Sequence, residues 1–352
     1  MLLIEFAVSA VIIVAAGIFL TRTSENIAEI TGLGQMVIGS ILLSFATSLP
    51  ELVTTVSSIR LTAVDLGLGN ILGSNMFNLI ILALLDLVQG PGPLLLKLTL
   101  SHLMSGLIIL IMISILGLSL TLYSFTPISP PPFRLAPESI ILVLVFLAGV
   151  KLMHGYEKKT NGEQVESVEN SEKVIPLSEA KSVNSAVKEK GEKNFYQYLI
   201  FAISALAILL AGIRLTAAAD EIAVITGLGH SFLGAALLAV ITSLPELTTT
   251  LAAAKNKSYD LAAGNILGSY LFNLLLLAVA DLFQPGSLIA AASSLNFLPI
   301  FSLIMMIALL MAGLFYRSEF SLFYLGLSPV LILVLYLITL WLMFALRNIP
   351  II

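Results

Sequence analysis

Cysteine is absent from all 352 residues, which excludes disulfides, haem thioethers and thiolate metal sites. Charge is nearly as scarce. Asp, Glu, Lys and Arg make up 11% of the chain, where a soluble domain carries about a quarter, while 58% is hydrophobic. Only three histidines occur, His102, His154 and His230, too scattered to assemble a zinc cluster or a catalytic triad. No GxxxxGK[ST] stretch occurs, so the chain offers no P-loop for ATP hydrolysis. The short alternating segments of a transmembrane barrel are also missing. These absences leave an all-α integral membrane protein that is not an enzyme and needs no cofactor, with no basic face for nucleic acid and no sign of an obligate protein partner.

Hydropathy and punctuation predict ten spans, near 2–21, 35–59, 66–88, 98–121, 137–154, 196–215, 231–254, 261–283, 295–315 and 321–346. The first run is too long for a signal peptide and lacks a small-residue cleavage site, so it reads as a span. Residues 155–194 are rich in Glu, Lys, Ser and Asn, and cannot bury enough apolar surface to fold alone. They read as a mobile polar linker between a first five-span half, 1–154, and a second, 195–352.

The halves are copies. ITGLG at 30–34 and 225–229, TSLPEL at 47–52 and 242–247, and GNILGS at 69–74 and 264–269 share one register, 246 − 51 = 195 residues apart. Chance likeness between apolar helices does not align Pro, Glu, Asn and Gly without a gap. Five spans per half is odd, so the second copy should enter the membrane from the opposite side, giving two inverted five-helix repeats with broken helices meeting at the centre. If 155–194 is cytoplasmic, 13 of the 17 Lys and Arg residues fall inside and only Arg60, Arg134, Arg214 and Arg347 outside. That bias satisfies the positive-inside rule and places both termini outside.

Glu51 and Glu246 lie midway along their spans, where a carboxylate costs several kcal/mol unless it faces a polar cavity or finds a cation. No Lys, Arg or His stands at that depth in the repeats, so an ion pair is excluded and protonation or a bound cation remains. Pro50 and Pro245 have no N–H to give the carbonyls of Ala46 and Ile241. Thr47, Ser48, Thr242 and Ser243 add hydroxyls on the same turns. Carboxylate, hydroxyl and carbonyl oxygens together suit hard cations such as Ca²⁺ and Na⁺.

In the second motif, glycines four apart (Gly69 and Gly73, Gly264 and Gly268) allow close helix approach. Ser74 and Asn78 share a face, as do Ser269 and Asn273, and supply neutral oxygens. Asn70 and Asn265 read equally well as interhelical glue and stay outside the ligand set. Asp65 and Asp260 read as helix N-caps. Asp86 and Asp281 lie about 12 Å along the helix from the asparagines, and read as marking the membrane edge or an ion vestibule.

Paired TSLPE and GNxxGSN-like motifs on inverted five-span repeats resemble the cation/Ca²⁺ antiporter superfamily, and most closely its prokaryotic Na⁺/Ca²⁺ exchanger-like proteins. The resemblance implies that Glu51 and Glu246 are the central acidic ligands, with Asn78 and Asn273 beside them. It implies that Thr47, Ser48, Thr242, Ser243, Ser74 and Ser269 line flanking Na⁺ sites, helped by carbonyls near Ser44 and Ala239. It also implies alternating access by sliding of the first and sixth spans, in a multi-pass protein of the cell membrane whose partners are Ca²⁺, Na⁺ and lipid. Two departures stand out. Ala46 and Ile241 replace the glycine that usually precedes Thr-Ser, and Asn273 stands where the archaeal type has aspartate. Two carboxylates then give the site a charge of about −2, matched by one Ca²⁺, two Na⁺ or two protons. The expected activity is Ca²⁺ exchange for Na⁺, with H⁺/Ca²⁺ exchange the alternative and a passive cation channel a more distant one.

Overall fold

A computed structural model describes residues 1–31, 44–89, 94–126, 135–169, 187–317, 321–322 and 325–347. Its helices, numbered in chain order, are α1 (Leu2–Thr31), α2 (Leu49–Arg60), α3 (Val64–Val88), α4 (His102–Phe125), α5 (Pro137–Glu169) and α6 (Val187–Thr226). They continue with α7 (His230–Thr242), α8 (Leu244–Lys255), α9 (Tyr259–Asp281), α10 (Phe297–Tyr316) and α11 (Leu327–Leu346). Among the described residues seven helices are long and apolar enough to cross a membrane, or eight if α7 and α8 count as one bent span. Residues 35–43 of the expected second span lie outside the described residues.

The duplication written in the sequence recurs in the helices. The starts of α2 and α8, of α3 and α9, and of α4 and α10 all share the offset that separates Glu51 from Glu246. α3 and α9 form the buried centre, where Leu68, Leu72, Leu79, Ile266, Tyr270 and Leu274 have essentially no exposed surface. α1 and α6 pack along each other on the flank. Their outer faces carry exposed apolar residues such as Leu3, Val11, Phe19, Leu206 and Leu210. Large apolar side chains facing outward belong in hydrocarbon, not in water.

Glycine sets the separation between the repeats. A Cβ on Gly73 of α3 would fall 2.4 Å from the Ala235 Cα of α7, and one on Gly234 of α7 would fall 2.4 Å from the Leu66 carbonyl oxygen. Hydrogen replaces a methyl group at each contact, so the two backbones touch directly.

Helix runs into both ends of the segment read as a linker, whose middle lies outside the described residues, and the last span starts later than expected. Residues 155–169 continue α5 as helix, and α6 begins at Val187, before the end of the expected linker. Extending a formed helix costs little where Glu and Lys recur, because the nucleus already exists. The last span was expected from 321, yet Ser321–Leu322 and Leu325–Gly326 pair as two short antiparallel strands, with the helix starting at Leu327.

Candidate functional site

The break in each repeat falls at a serine. Ser48 (φ −88°, ψ 6°) and Ser243 (φ −91°, ψ 8°) take nearly the same conformation just before α2 and α8. Neither hydroxyl caps its helix, so each is available to the site. Pro50 and Pro245 follow in the first turn, where a missing N–H costs little. α7 meets α8 at 45°. Glu51 and Glu246 thus stand in the first turns of α2 and α8, where the helix dipole favours negative charge.

All ten residues named from the sequence are fully buried: Thr47, Ser48, Glu51, Ser74, Asn78, Thr242, Ser243, Glu246, Ser269 and Asn273. Among the described residues no ion pair involves either glutamate. Ser243 donates to Glu51 Oε1 at 3.0 Å and Ser74 approaches the same oxygen at 3.3 Å. Ser74 Oγ also lies 3.3 Å from Thr242 Oγ1 and 3.4 Å from the Ala239 carbonyl oxygen. Thr242 in turn reaches Asn70 Oδ1 at 3.2 Å and the Ala239 carbonyl at 3.3 Å. Three hydroxyl protons serve a carboxylate, an amide oxygen and a carbonyl. Oxygen lone pairs exceed protons here, which is the environment a hard cation seeks.

The opposite half is built from the equivalent residues and is looser. The Thr47 and Ser269 hydroxyls share a 3.2 Å hydrogen bond, and Thr47 donates to the Ser44 carbonyl at 3.3 Å. Among the described residues Ser48 Oγ and both Glu246 oxygens have no hydrogen-bond partner, whereas the equivalent Ser243 closes on Glu51. The Ser44 and Ala239 carbonyls also keep their helical partners, the N–H groups of Ser48 and Ser243, each at 3.0 Å.

The motif asparagines divide. Asn273 donates to Asn75 Oδ1 across the repeats at 3.1 Å, and its own Oδ1 is unpartnered. Among the described residues neither side-chain polar atom of Asn78 has a partner. Asn70, read from sequence as possible glue, donates to Thr54 Oγ1 at 2.7 Å while accepting from Thr242, so it braces the break from the other repeat. Asn265 repeats the first contact with Thr249 at 2.9 Å. Asn75 was missed because comparing the two motifs dismisses a position occupied by Asn in one and Tyr in the other.

The aspartates take roles not foreseen. Asp65 accepts from the Ser293 N–H at 2.8 Å and from Asn296 Nδ2 at 2.7 Å, and Asp260 accepts from the Thr99 N–H at 2.8 Å and faces His102 Nε2 at 3.0 Å. Each therefore tethers the approach to α10 or α4 in the other repeat and does not cap its own helix. Asp86 and Asp281 are buried near the C-terminal ends of α3 and α9. Asp86 accepts from the N–H groups of Leu94 and Gly326, and Asp281 from those of Leu288 and Ala136. A carboxylate with two acceptor oxygens can bind the loop after its own helix and the start of a helix in the other repeat together.

Comparison with known proteins follows the same lines. The sodium/calcium exchanger protein family model matches residues 1–153 and 196–345. The sodium/calcium exchanger MaX1 of Methanosarcina acetivorans is 25% identical over 303 residues, covering 79% of this chain and 81% of that protein. Among solved structures, the sodium-calcium exchanger NCX_Mj superposes with a TM-score of 0.58 at 20% identity, covering 97% of this chain and 99% of that one. An H⁺/Ca²⁺ exchanger, CAX, superposes with a TM-score of 0.69 at 11% identity, covering 99% and 86%. The backbone is thus that of membrane exchangers. With a family model spanning both halves and paired glutamate motifs at the centre, the chain belongs to the sodium/calcium exchanger protein family, a family of multi-pass transporters and not of enzymes.

Proposed function

We propose that this protein exchanges Ca²⁺ for Na⁺ across the membrane by alternating access, through a site that Glu51 and Glu246 share between two inverted five-span repeats. The observation that carries this reading is the burial of both carboxylates at the helix breaks, with three of their four oxygens unpartnered and no basic side chain paired to them among the described residues. Such charge in a membrane interior is sustained by a cation or by protons. Six hydroxyls stand around them, and weakly charged oxygens of that kind suit Na⁺ beside a divalent site. Thr47, Ser48 and Ser269 serve the Glu246 side, and Thr242, Ser243 and Ser74 the Glu51 side. Asn78 and Asn273 add neutral oxygens. The ions are cargo, and each half-site is assembled from both repeats, so moving one repeat against the other would open and close it.

H⁺/Ca²⁺ exchange is the second reading, favoured by the backbone likeness to CAX and by two carboxylates able to take two protons. Uptake of ⁴⁵Ca²⁺ into proteoliposomes separates the two. Uptake driven by a Na⁺ gradient with pH clamped supports Na⁺ exchange. Uptake driven only by a pH gradient transfers the assignment to protons, and flux that needs no counter-ion would point to a channel.

A further inference from the structure

The asparagine at 75 has a task that the repeat hides. It is fully buried on α3, one residue beyond Ser74, and its Oδ1 accepts the Asn273 amide from α9 at 3.1 Å. Asn273 Oδ1 is buried without a partner. A primary amide has two nearly isosteric ends, a donor and an acceptor. Half a turn about its last side-chain bond would present N–H groups where an oxygen stood, and an N–H end repels a cation. An acceptor beside the nitrogen decides which end faces outward, and Asn75, whose own Nδ2 has no partner among the described residues, spends its one side-chain hydrogen bond described there on that amide. Among the described residues Asn78 has no symmetric arrangement. The position equivalent to Asn75 is Tyr270, whose buried hydroxyl has no partner, and both polar atoms of Asn78 are unpartnered.

We infer that Asn75 is a positioning residue that holds the Asn273 amide with its oxygen toward the cation, making the two halves of the site unequal. This rests on Asn273 being a cation ligand, as proposed above.

The test uses the full-length protein in proteoliposomes, with half-saturating Ca²⁺ and maximal ⁴⁵Ca²⁺ flux measured separately. Asn75→Leu removes the acceptor and should raise half-saturating Ca²⁺ about fivefold, the scale of one lost neutral hydrogen bond, with the maximal rate kept. Asn75→Asp keeps an acceptor at the same place and should hold half-saturation at or below the parental value. In the Asn273→Ala background Asn75→Leu should add nothing, because Asn75 acts only through that amide. Should Asn75→Leu not fold, Asn75→Ser, whose hydroxyl is too short to reach Asn273, replaces it. A raised half-saturation in Asn273→Ala with none in Asn75→Leu, or fold-changes that simply multiply in the double variant, overturns the inference. Weakening by Asn75→Asp equal to that by Asn75→Leu overturns it too. An Asn273→Ala protein of parental affinity removes Asn273 from the ligand set, and the inference with it.

Discussion

Gly73 offers the most direct test of how tightly the two repeats are interlocked. A Cβ there lands 2.4 Å from the Ala235 Cα, 2.5 Å from its carbonyl oxygen and 2.8 Å from its carbonyl carbon. All three are backbone atoms, so no rotamer change relieves the clash. Carbon atoms pack at about 3.5–4.0 Å, so Gly73→Ala must part α3 from α7 by roughly 1 Å. The next residue, Ser74, is 3.3 Å from Thr242 and 3.4 Å from the Ala239 carbonyl, so the same movement carries both beyond hydrogen-bonding range. Overpacking of this kind costs about 1–3 kcal/mol. The expected result is a lower melting temperature in detergent together with weaker Ca²⁺-driven stabilisation and slower ⁴⁵Ca²⁺ uptake. The duplicated motif supplies its own controls. At Gly268 the nearest atom to a new Cβ is Ser44 Oγ at 2.8 Å, a side-chain atom that can turn away, and at Gly264 the nearest is His102 Cε1 at 3.9 Å, an ordinary contact. Gly268→Ala should therefore be mild and Gly264→Ala silent. Parental melting and uptake in Gly73→Ala, or equal damage in Gly264→Ala, would refute the interlock.

Three further outcomes are expected. Glu51→Gln and Glu246→Gln each reduce the central charge from about −2 to −1 in a poorly screened cavity, so Ca²⁺-dependent stabilisation and flux should fall while melting without ions holds or rises; undiminished Ca²⁺ flux in either variant removes that residue from the site. Asp86→Asn leaves one acceptor for the Leu94 and Gly326 N–H groups, and the orphaned donor should cost about 1–3 kcal/mol in thermal unfolding with half-saturating Ca²⁺ unchanged; a shift in half-saturation would place Asp86 in the transport path. Single cysteines introduced at Ser171 and Ile352 should react with an impermeant thiol reagent from opposite sides of the membrane, and labelling from one side would contradict the inverted arrangement.

Much of this was legible because polar residues in apolar sequence have few explanations. Glu51, Pro50 and the Thr-Ser pairs are conspicuous among Leu and Ile, and the second copy at Glu246 repeats the anomaly. Helix starts followed the same register. What stayed hidden depends on contacts across the two copies. Asp65 and Asp260 sit in first helical turns, so local reasoning makes them N-caps; only the folded chain brings Ser293 and Thr99 to them. The π-helical stretch Gly234–Leu238, just ahead of the break, carries no signal in Gly-Ala-Ala-Leu-Leu. The contraction onto Glu51 but not Glu246 is likewise invisible, since both sites are built from the same residue types.

The crossed aspartate contacts bear on how the chain is made. Asp281 holds the Ala136 N–H at the mouth of α5, and Ser287 binds Glu138 two residues on, so α5 completes its buried polar contacts only after about 150 further residues have been synthesised. α11 finds Asp86 already waiting for Gly326. The first half therefore reaches the membrane ahead of its own clasp, and the last helix to emerge closes onto one formed early. During that interval the start of α5 lacks the partners that later satisfy Ala136 and complete Glu138. If the chain is split in the 155–194 segment, the first half made alone should be degraded, and co-expression of the second half should rescue it.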